Sequence, residues 1–377
     1  MGRRILIPYL KAGLGHLVQA QAIAGELRRM KPDWDVQLMD AADELQDELL
    51  RRNFVELWKV LLKMPGPLSA AMFAVEKLAP GLVRALNRGS FRTAVPKAAA
   101  HLAAHPPDLI MCTHWACAHL FAMARATTSA PTAPPIYYLY GELDTTYSVA
   151  ACGADRYFSL SEKVSDGLAR LGIDRERIRE VPLVVDPAMV TSDVPRDVLR
   201  RGLGVPADSL AVVLSLGGEG IGRTLPFIRA FARAVKGATL IVLTGRNAEL
   251  LGKIRHQVRS PAVVPLGYQE DLSPIVASAD VLAGKCGTGF AAMAMTTGIP
   301  LIVTHLGAPN ERGNMRFIVE HGHGWYCPRP AAFCRKVTEL AGTRASCRDG
   351  DPPGAPRRRE FRSGALAIAA DIVESLS

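Results

Sequence analysis

Two stretches of this chain carry residue types suited to holding a phosphorylated ligand. Lys11-Ala12-Gly13-Leu14-Gly15-His16 follows a short β-rich apolar run at 5–7 and precedes a helical pattern at 19–30. A Gly-rich turn between strand and helix brings backbone N–H groups and a helix N-terminus against an anion. The spacing is not GxGxxG, and no P-loop Lys is present. His16, at the mouth of the turn, has two readings: a base or donor toward a ligand oxygen, or a cap for the helix. The second stretch, Gly217-Gly218-Glu219-Gly220-Ile221-Gly222-Arg223, lies between an apolar run at 211–216 and a helical pattern near 226–235. A diphosphate held between two helix N-termini needs no metal, because the amides and dipoles supply the positive potential.

Three further runs each follow an expected strand: Leu266-Gly267-Tyr268, Lys285-Cys286-Gly287-Thr288-Gly289 and Asn310-Glu311-Arg312-Gly313-Asn314. Gly287 and Gly289 permit close backbone approach. Asn310 and Glu311 offer side chains able to grip sugar hydroxyls. Other constellations are weaker. Cys112, Thr113 and His114 adjoin at a strand end, where neighbours point to opposite faces, so core packing is expected for them. His321 and His323 lack the further ligands a metal needs. The seven Cys show no zinc spacing and read as reduced thiols, and no metal site is expected.

These residues need a scaffold of alternating strands and helices. Short apolar runs recur at 5–7, 36–39, 109–112, 136–140 and 157–160, and again at 211–216, 240–243, 263–266, 281–283 and 301–303. Most are continuous rather than alternating, as in strands buried on both faces of a parallel sheet. With helical patterns between them they predict right-handed βαβ units and an α/β fold. The pattern restarts near residue 210, after a Pro-punctuated connection at 186–206. A Pro-, Gly- and Arg-rich break spans 344–362, and residues 363–377 have helical periodicity. The expected organisation is a first domain at 1–190, a second at 205–343, and a linker with terminal helix at 344–377. With 377 residues and 49% apolar content, the chain is neither disordered nor a single small domain. No apolar run is long enough to span a membrane, and the start of the chain does not read as a signal peptide.

The net charge of +9 is concentrated. Residues 51–97 hold nine basic and two acidic residues, which is seven of the nine net charges. Within them Phe54, Leu57, Trp58, Leu61 and Leu62 fall on one helical face, with Arg51, Arg52, Lys59 and Lys63 beside it. That composition describes a helix lying on an anionic membrane surface. The plainer alternative is a helix packed on its own domain under a solvated basic face. No nucleic-acid recognition motif accompanies the charge, and no nucleic-acid partner is expected.

The ordered series of motifs resembles the GT-B glycosyltransferases, and in its second half family 28. Within that family it is most similar to the monogalactosyldiacylglycerol synthases and processive diacylglycerol glycosyltransferases. The resemblance rests on Gly13-Leu14-Gly15-His16, Ser215-Leu216-Gly217-Gly218, Thr244-Gly245-Arg246-Asn247, Leu266-Gly267-Tyr268, Ala279-Asp280-Val281, Lys285-Cys286-Gly287, Gly298-Ile299-Pro300 and the Asn310 to Asn314 run. It implies two Rossmann-like doubly wound domains facing a central cleft. It places Gly13, Gly15 and His16 beside the diphosphate and acceptor, and Gly217, Gly218 and Asn247 in the donor-nucleotide loops. It puts Gly267 and Tyr268 at the uracil, Lys285, Gly287 and Thr288 near the phosphates, and Asn310 and Glu311 at the donor sugar. Arg51, Arg52, Phe54, Trp58, Lys59, Leu62 and Lys63 would meet membrane and acceptor. Two positions depart from the family. Its ribose-gripping Glu reads Met293 here, and its Thr-Asp pair after the fourth strand reads Gly141-Glu142-Leu143-Asp144. Glu142, Asp144 and His16 are the candidate bases, and the sequence does not choose among them.

The resulting expectation is an inverting hexose transfer from a nucleotide-sugar, UDP-linked, to a lipid such as diacylglycerol. The nucleotide-sugar is a co-substrate, and no cofactor or metal is required. The chain would be cytoplasmic and peripherally attached to the inner face of the cell membrane. A non-catalytic nucleotide-sugar-binding protein and a nucleotide-sugar 2-epimerase are the alternatives.

Overall fold

A computed structural model describes residues 2–11, 15–58, 60, 74–75, 78–127, 133–186, 192–215, 217, 220, 224–306, 311–346 and 363–377. The chain forms two compact units. The first comprises Met1–Asp186, Ala308–Gly313 and Arg362–Ser377, and the second Pro187–Gly307 and Asn314–Phe361.

The first unit contains a six-stranded parallel sheet: β1 (Arg4–Tyr9), β2 (Asp35–Asp40), β3 (Leu109–Cys112), β4 (Ile136–Tyr140), β5 (Arg156–Ser159) and β6 (Ile178–Glu180). Its order is β2-β1-β3-β4-β5-β6. The order reverses between β1 and β3, and in open α/β sheets ligands sit beyond the strand C-termini at such a point. Helices Gly15–Met30, Ala94–Ala104, Trp115–Thr127 and Glu162–Arg170 alternate with the strands. The last starts on Ser161, whose Oγ accepts the Val164 N–H at 3.3 Å, a standard N-cap. The terminal helix, Gly364–Ser375, packs on Gly15–Met30. It is tied by Ser363 Oγ–H donating to the Val185 carbonyl at 2.7 Å.

The second unit repeats the plan with β7 (Leu210–Ser215), β8 (Ala238–Leu243), β9 (Val263–Leu266), β10 (Val281–Lys285), β11 (Leu301–His305) and β12 (Gly324–Tyr326). The order β12-β11-β10-β7-β8-β9 puts its reversal between β7 and β10. Every residue of β7 and β8 is buried, which is why both read as continuous apolar runs. The stretch 186–206, expected to be a bare connection, contains the helix Arg196–Gly202. Polar contacts hold it: the buried Asp280 carboxylate pairs with Arg196 at 2.7 Å and with Arg200, and accepts the Ala211 N–H at 2.8 Å. Periodicity of apolar residues could not reveal it. Residues 347–362 of the expected linker lie outside the described residues. Among the described residues no helix is long and apolar enough to cross a membrane.

Candidate functional site

In the first unit the reversal point is occupied by His16, the second residue of its helix. Its Nδ1–H donates to the Thr113 carbonyl at 2.7 Å, and Thr113 Oγ1–H donates back to the His16 carbonyl at 2.9 Å. A carbonyl can only accept, so the neutral imidazole carries its proton on Nδ1 and leaves Nε2 as an acceptor. Burial holds the His16 pKa below the ordinary histidine value, partly opposed by the Thr113 carbonyl. His114 lies beside it, with ring centroids 4.5 Å apart at 70°. Thr113 and His114 are buried, 0% and 5% exposed, as the expected core packing has it, and they also contact His16. The strand ends at Cys112, so alternation of faces no longer governs the two residues after it, and both turn to His16. Gly13 lies outside the described residues. Gly15 has open space where a Cβ would stand.

Glu142 and Asp144 follow β4. Glu142 is half-buried. Asp144 is 5% exposed, paired with Lys163 through Oδ1, and accepts the Thr145 hydroxyl at 3.3 Å through Oδ2. Gly313 packs on the same loop: a Cβ there would stand 2.6 Å from Thr145 Oγ1 and 3.1 Å from Asp144 Cβ. Glu311, two residues earlier and first in the helix Glu311–Glu320, is 4% exposed. Asn310 lies outside the described residues.

The second unit gathers its candidates at the β7/β10 reversal. Lys285 ends β10, and its Cε would stand 3.0 Å from a Cβ on Gly217. Gly217 has φ +73°, a conformation that favours glycine. Asn314, 1% exposed, donates through Nδ2 to the Cys286 carbonyl at 3.2 Å and to Thr288 Oγ1 at 3.3 Å. It thereby stitches the turn Lys285-Cys286-Gly287-Thr288, where the helix Thr288–Thr297 starts after Gly287. Asn247, placed by the resemblance in a donor-nucleotide loop, holds that loop together. It donates to the Gly220 carbonyl at 3.0 Å and caps the helix Ala248–Gln257 by accepting the Leu250 N–H at 2.8 Å. Gly267 and Tyr268 follow β9. Tyr268 is 44% exposed, and the Arg246 guanidinium lies 4.1 Å from its ring centroid, a cation–π pair. Met293 is buried in its helix. Gly218 lies outside the described residues.

The basic segment divides in two. Phe54, expected on a membrane-facing strip, belongs to the core. It is 8% exposed, stacks on Phe91 at 5.0 Å and meets Trp115 edge-on at 5.3 Å. A π-helical stretch over Arg51–Glu56 carries it inward, which a 3.6-residue periodicity does not anticipate. Arg51 is bound to Asp43 at 3.1 Å and Glu48 at 3.5 Å. With Lys11, Asp40, Asp43 and Glu56 it lines a pocket of about 130 Å³. Arg52, Arg88 and Arg92 are exposed, as are Leu57, Val60, Val75 and Leu78. Trp58 is half-buried. Lys59, Leu62 and Lys63 lie outside the described residues. Among the described residues no group of His, Cys, Asp or Glu could hold a metal ion.

No model of a known protein family matches the chain. Its sequence is 30% identical over 198 residues to the monogalactosyldiacylglycerol synthase of spinach, covering 51% of this chain and 38% of the relative. It is 23% identical over 361 residues to the "probable monogalactosyldiacylglycerol synthase 2" of rice, covering 89% and 73%. The chain thus spans well under half the length of the spinach relative. Among solved structures, HepE of Anabaena in complex with UDP superposes over 100% of this chain and 99% of that one, with 18% identity and a TM-score of 0.56. The calicheamicin glycosyltransferase CalG4 covers 99% and 98%, with 16% identity and a TM-score of 0.59. In sequence the chain is similar to the monogalactosyldiacylglycerol synthases, and its two parallel six-stranded sheets share the GT-B fold of these solved glycosyltransferases.

Proposed function

We propose that the protein transfers a hexose from a nucleotide-sugar, UDP-linked, to a lipid alcohol such as diacylglycerol, with inversion at the anomeric carbon. The observation that carries this reading is the His16–Thr113 lock, which presents an unprotonated Nε2 at a sheet reversal point. The acceptor oxygen forms its bond to the anomeric carbon as the bond to the diphosphate oxygen breaks, and the acceptor proton passes to His16 Nε2. A positioned base of this kind contributes ~10²–10⁴-fold. Asp144 is the weaker candidate, because both its oxygens already have partners. In the second unit, Lys285 and the N-terminus of Thr288–Thr297 are groups suited to the charge of a diphosphate, and in the first unit Glu311 is one suited to sugar hydroxyls. This chemistry asks for no resident metal.

A lipid acceptor stays in its bilayer, so the reading includes docking on the cytoplasmic face of the cell membrane. The exposure of Leu57, Val60, Val75 and Leu78, and of Arg52, Arg88 and Arg92 in the same segment of sequence, supports it. Basic side chains near an anionic surface contribute ~1 kcal/mol each.

One observation favours a second reading. Met293 offers no acceptor to the ribose hydroxyls, which suits a nucleotide-sugar-binding protein without turnover. The deciding assay mixes the purified protein with UDP-, GDP- and dTDP-sugars and vesicles containing diacylglycerol, read by mass spectrometry. A glycosylated lipid formed from the UDP-sugar is expected. UDP binding without any product would establish the second reading, and conversion of the sugar without acceptor would establish an epimerase.

A further inference from the structure

We propose that His114 is the positioning residue of the site: its ring holds the His16 imidazole against the Thr113 carbonyl in a single tautomer. The inference rests on the reading of His16 as base. Two consecutive residues grip one imidazole, Thr113 through its carbonyl at 2.7 Å and His114 through its ring at 4.5 Å. A lone hydrogen bond from Nδ1 to a carbonyl is lost when the ring turns about Cβ–Cγ, a broad torsion with no strong preference of its own. A second ring packed edge to face obstructs that turn.

His114 is in turn fixed. It stands at the N-cap of the helix Trp115–Thr127, where its Nδ1 accepts the Ala116 N–H at 3.1 Å and its carbonyl accepts the N–H groups of Cys117 and Ala118 at 3.1 and 3.2 Å. Its ring stacks on Trp115 at 5.8 Å and 25°, and it is 5% exposed. Asn, Asp or Ser would satisfy the cap alone. What histidine adds at this position is the ring that meets His16. With Nδ1 accepting, the His114 proton resides on Nε2. Burial, with the neighbouring His16 charge, pushes the His114 pKa well down, so it stays neutral and does not compete for the acceptor proton.

Two variants separate cap from wedge. His114→Asn keeps an acceptor for the Ala116 N–H and removes the ring. His114→Phe keeps a ring and removes the acceptor. Both are compared with the parent for fold by thermal unfolding, for kcat and KM with each substrate, and for the His16 tautomer by ¹⁵N NMR of histidine-labelled protein. In His114→Asn, kcat is expected to fall about tenfold, a fraction of what a positioned base contributes, with both KM values held within about twofold. The His16 signals should change from a pure Nδ1–H form to a mixture. His114→Phe should recover most of the kcat. A His114→Asn protein with parental kcat and a pure Nδ1–H tautomer overturns the proposal. If His16→Ala itself keeps turnover, the base reading fails, and the tautomer measurement still decides whether His114 positions the ring.

Discussion

Lys285 passes directly over Gly217, so that a Cβ on the glycine would meet Lys285 Cε at 3.0 Å. The strand end at β10 and the loop after β7 are therefore interlocked at the sheet reversal. Gly217→Ala introduces that contact and also a side chain at φ +73°, which costs roughly 1–2 kcal/mol. UDP affinity by calorimetry should fall about tenfold. Gly252→Ala, in the exposed face of the helix Ala248–Gln257, is the control, because a Cβ there would meet nothing within 4 Å. Equal losses in both would remove Gly217 from the donor site.

Burial penalises an imidazolium at position 16, so the His16 pKa lies below the usual 6.5. A base must be unprotonated to act. The acid limb of kcat/KM, which reports the free enzyme, should accordingly fall at lower pH than for an ordinary histidine. His16→Ala should abolish that limb and lower kcat by at least ~100-fold. A limb that persists unchanged in His16→Ala would assign the titration to another group.

Among the described residues ten of the twelve strands are legible as apolar runs, most of them because both sheet faces are buried and no polar alternation dilutes them. The two that are not, β6 and β12, are edge strands of only three residues, too short to show a pattern. The site was legible where a motif carries it, as at Lys285 or Gly217. It was illegible where strand order carries it. His16 meets Thr113 and His114 only because β3 lies beside β1, and nothing in the residues near position 113 announces that pairing. Apolar periodicity marked Phe54 correctly as a residue to be covered. It could not say that Phe91 and Trp115, rather than lipid, cover it.

Burial lowers the pKa of four histidines of the first unit, His16, His101, His114 and His119, the last down to about 4. Each binds a proton more readily when unfolded. For such groups stability is fully present above the unfolded pKa near 6.5 and is lost as pH falls through the window down to the folded value. The melting temperature should decline between pH 7 and pH 4. His119→Phe, which removes one of these protons, should flatten the decline. An unchanged slope would show that carboxylates dominate the acid transition.

The division of the basic segment makes opposite predictions for neighbouring residues. Phe54→Ala empties a buried aromatic site and should cost about 3–5 kcal/mol of stability, read as a lowered melting temperature. Leu57→Ser and Leu78→Ser alter side chains 43% and 84% exposed and should leave melting unchanged. Together they should weaken flotation with anionic vesicles several-fold, in a salt-sensitive manner. Vesicle binding that survives the double substitution would move the docking surface elsewhere.

Asp280 belongs to the motif series that resembles family 28, yet its contacts are structural. The carboxylate is 1% exposed, joins Arg196 and Arg200, and accepts the Ala211 N–H at the start of β7. The Arg200 side chain is itself only 6% exposed. Removing the acid strands a buried guanidinium, and breaking a buried pair in this way costs about 3–5 kcal/mol. Asp280→Ala should therefore lower the melting temperature strongly. Where enough protein stays folded, UDP affinity should hold within about twofold of the parent, because no donor-site residue touches the carboxylate among its described partners. A variant that melts normally and fails to bind UDP would instead place Asp280 in the donor site itself.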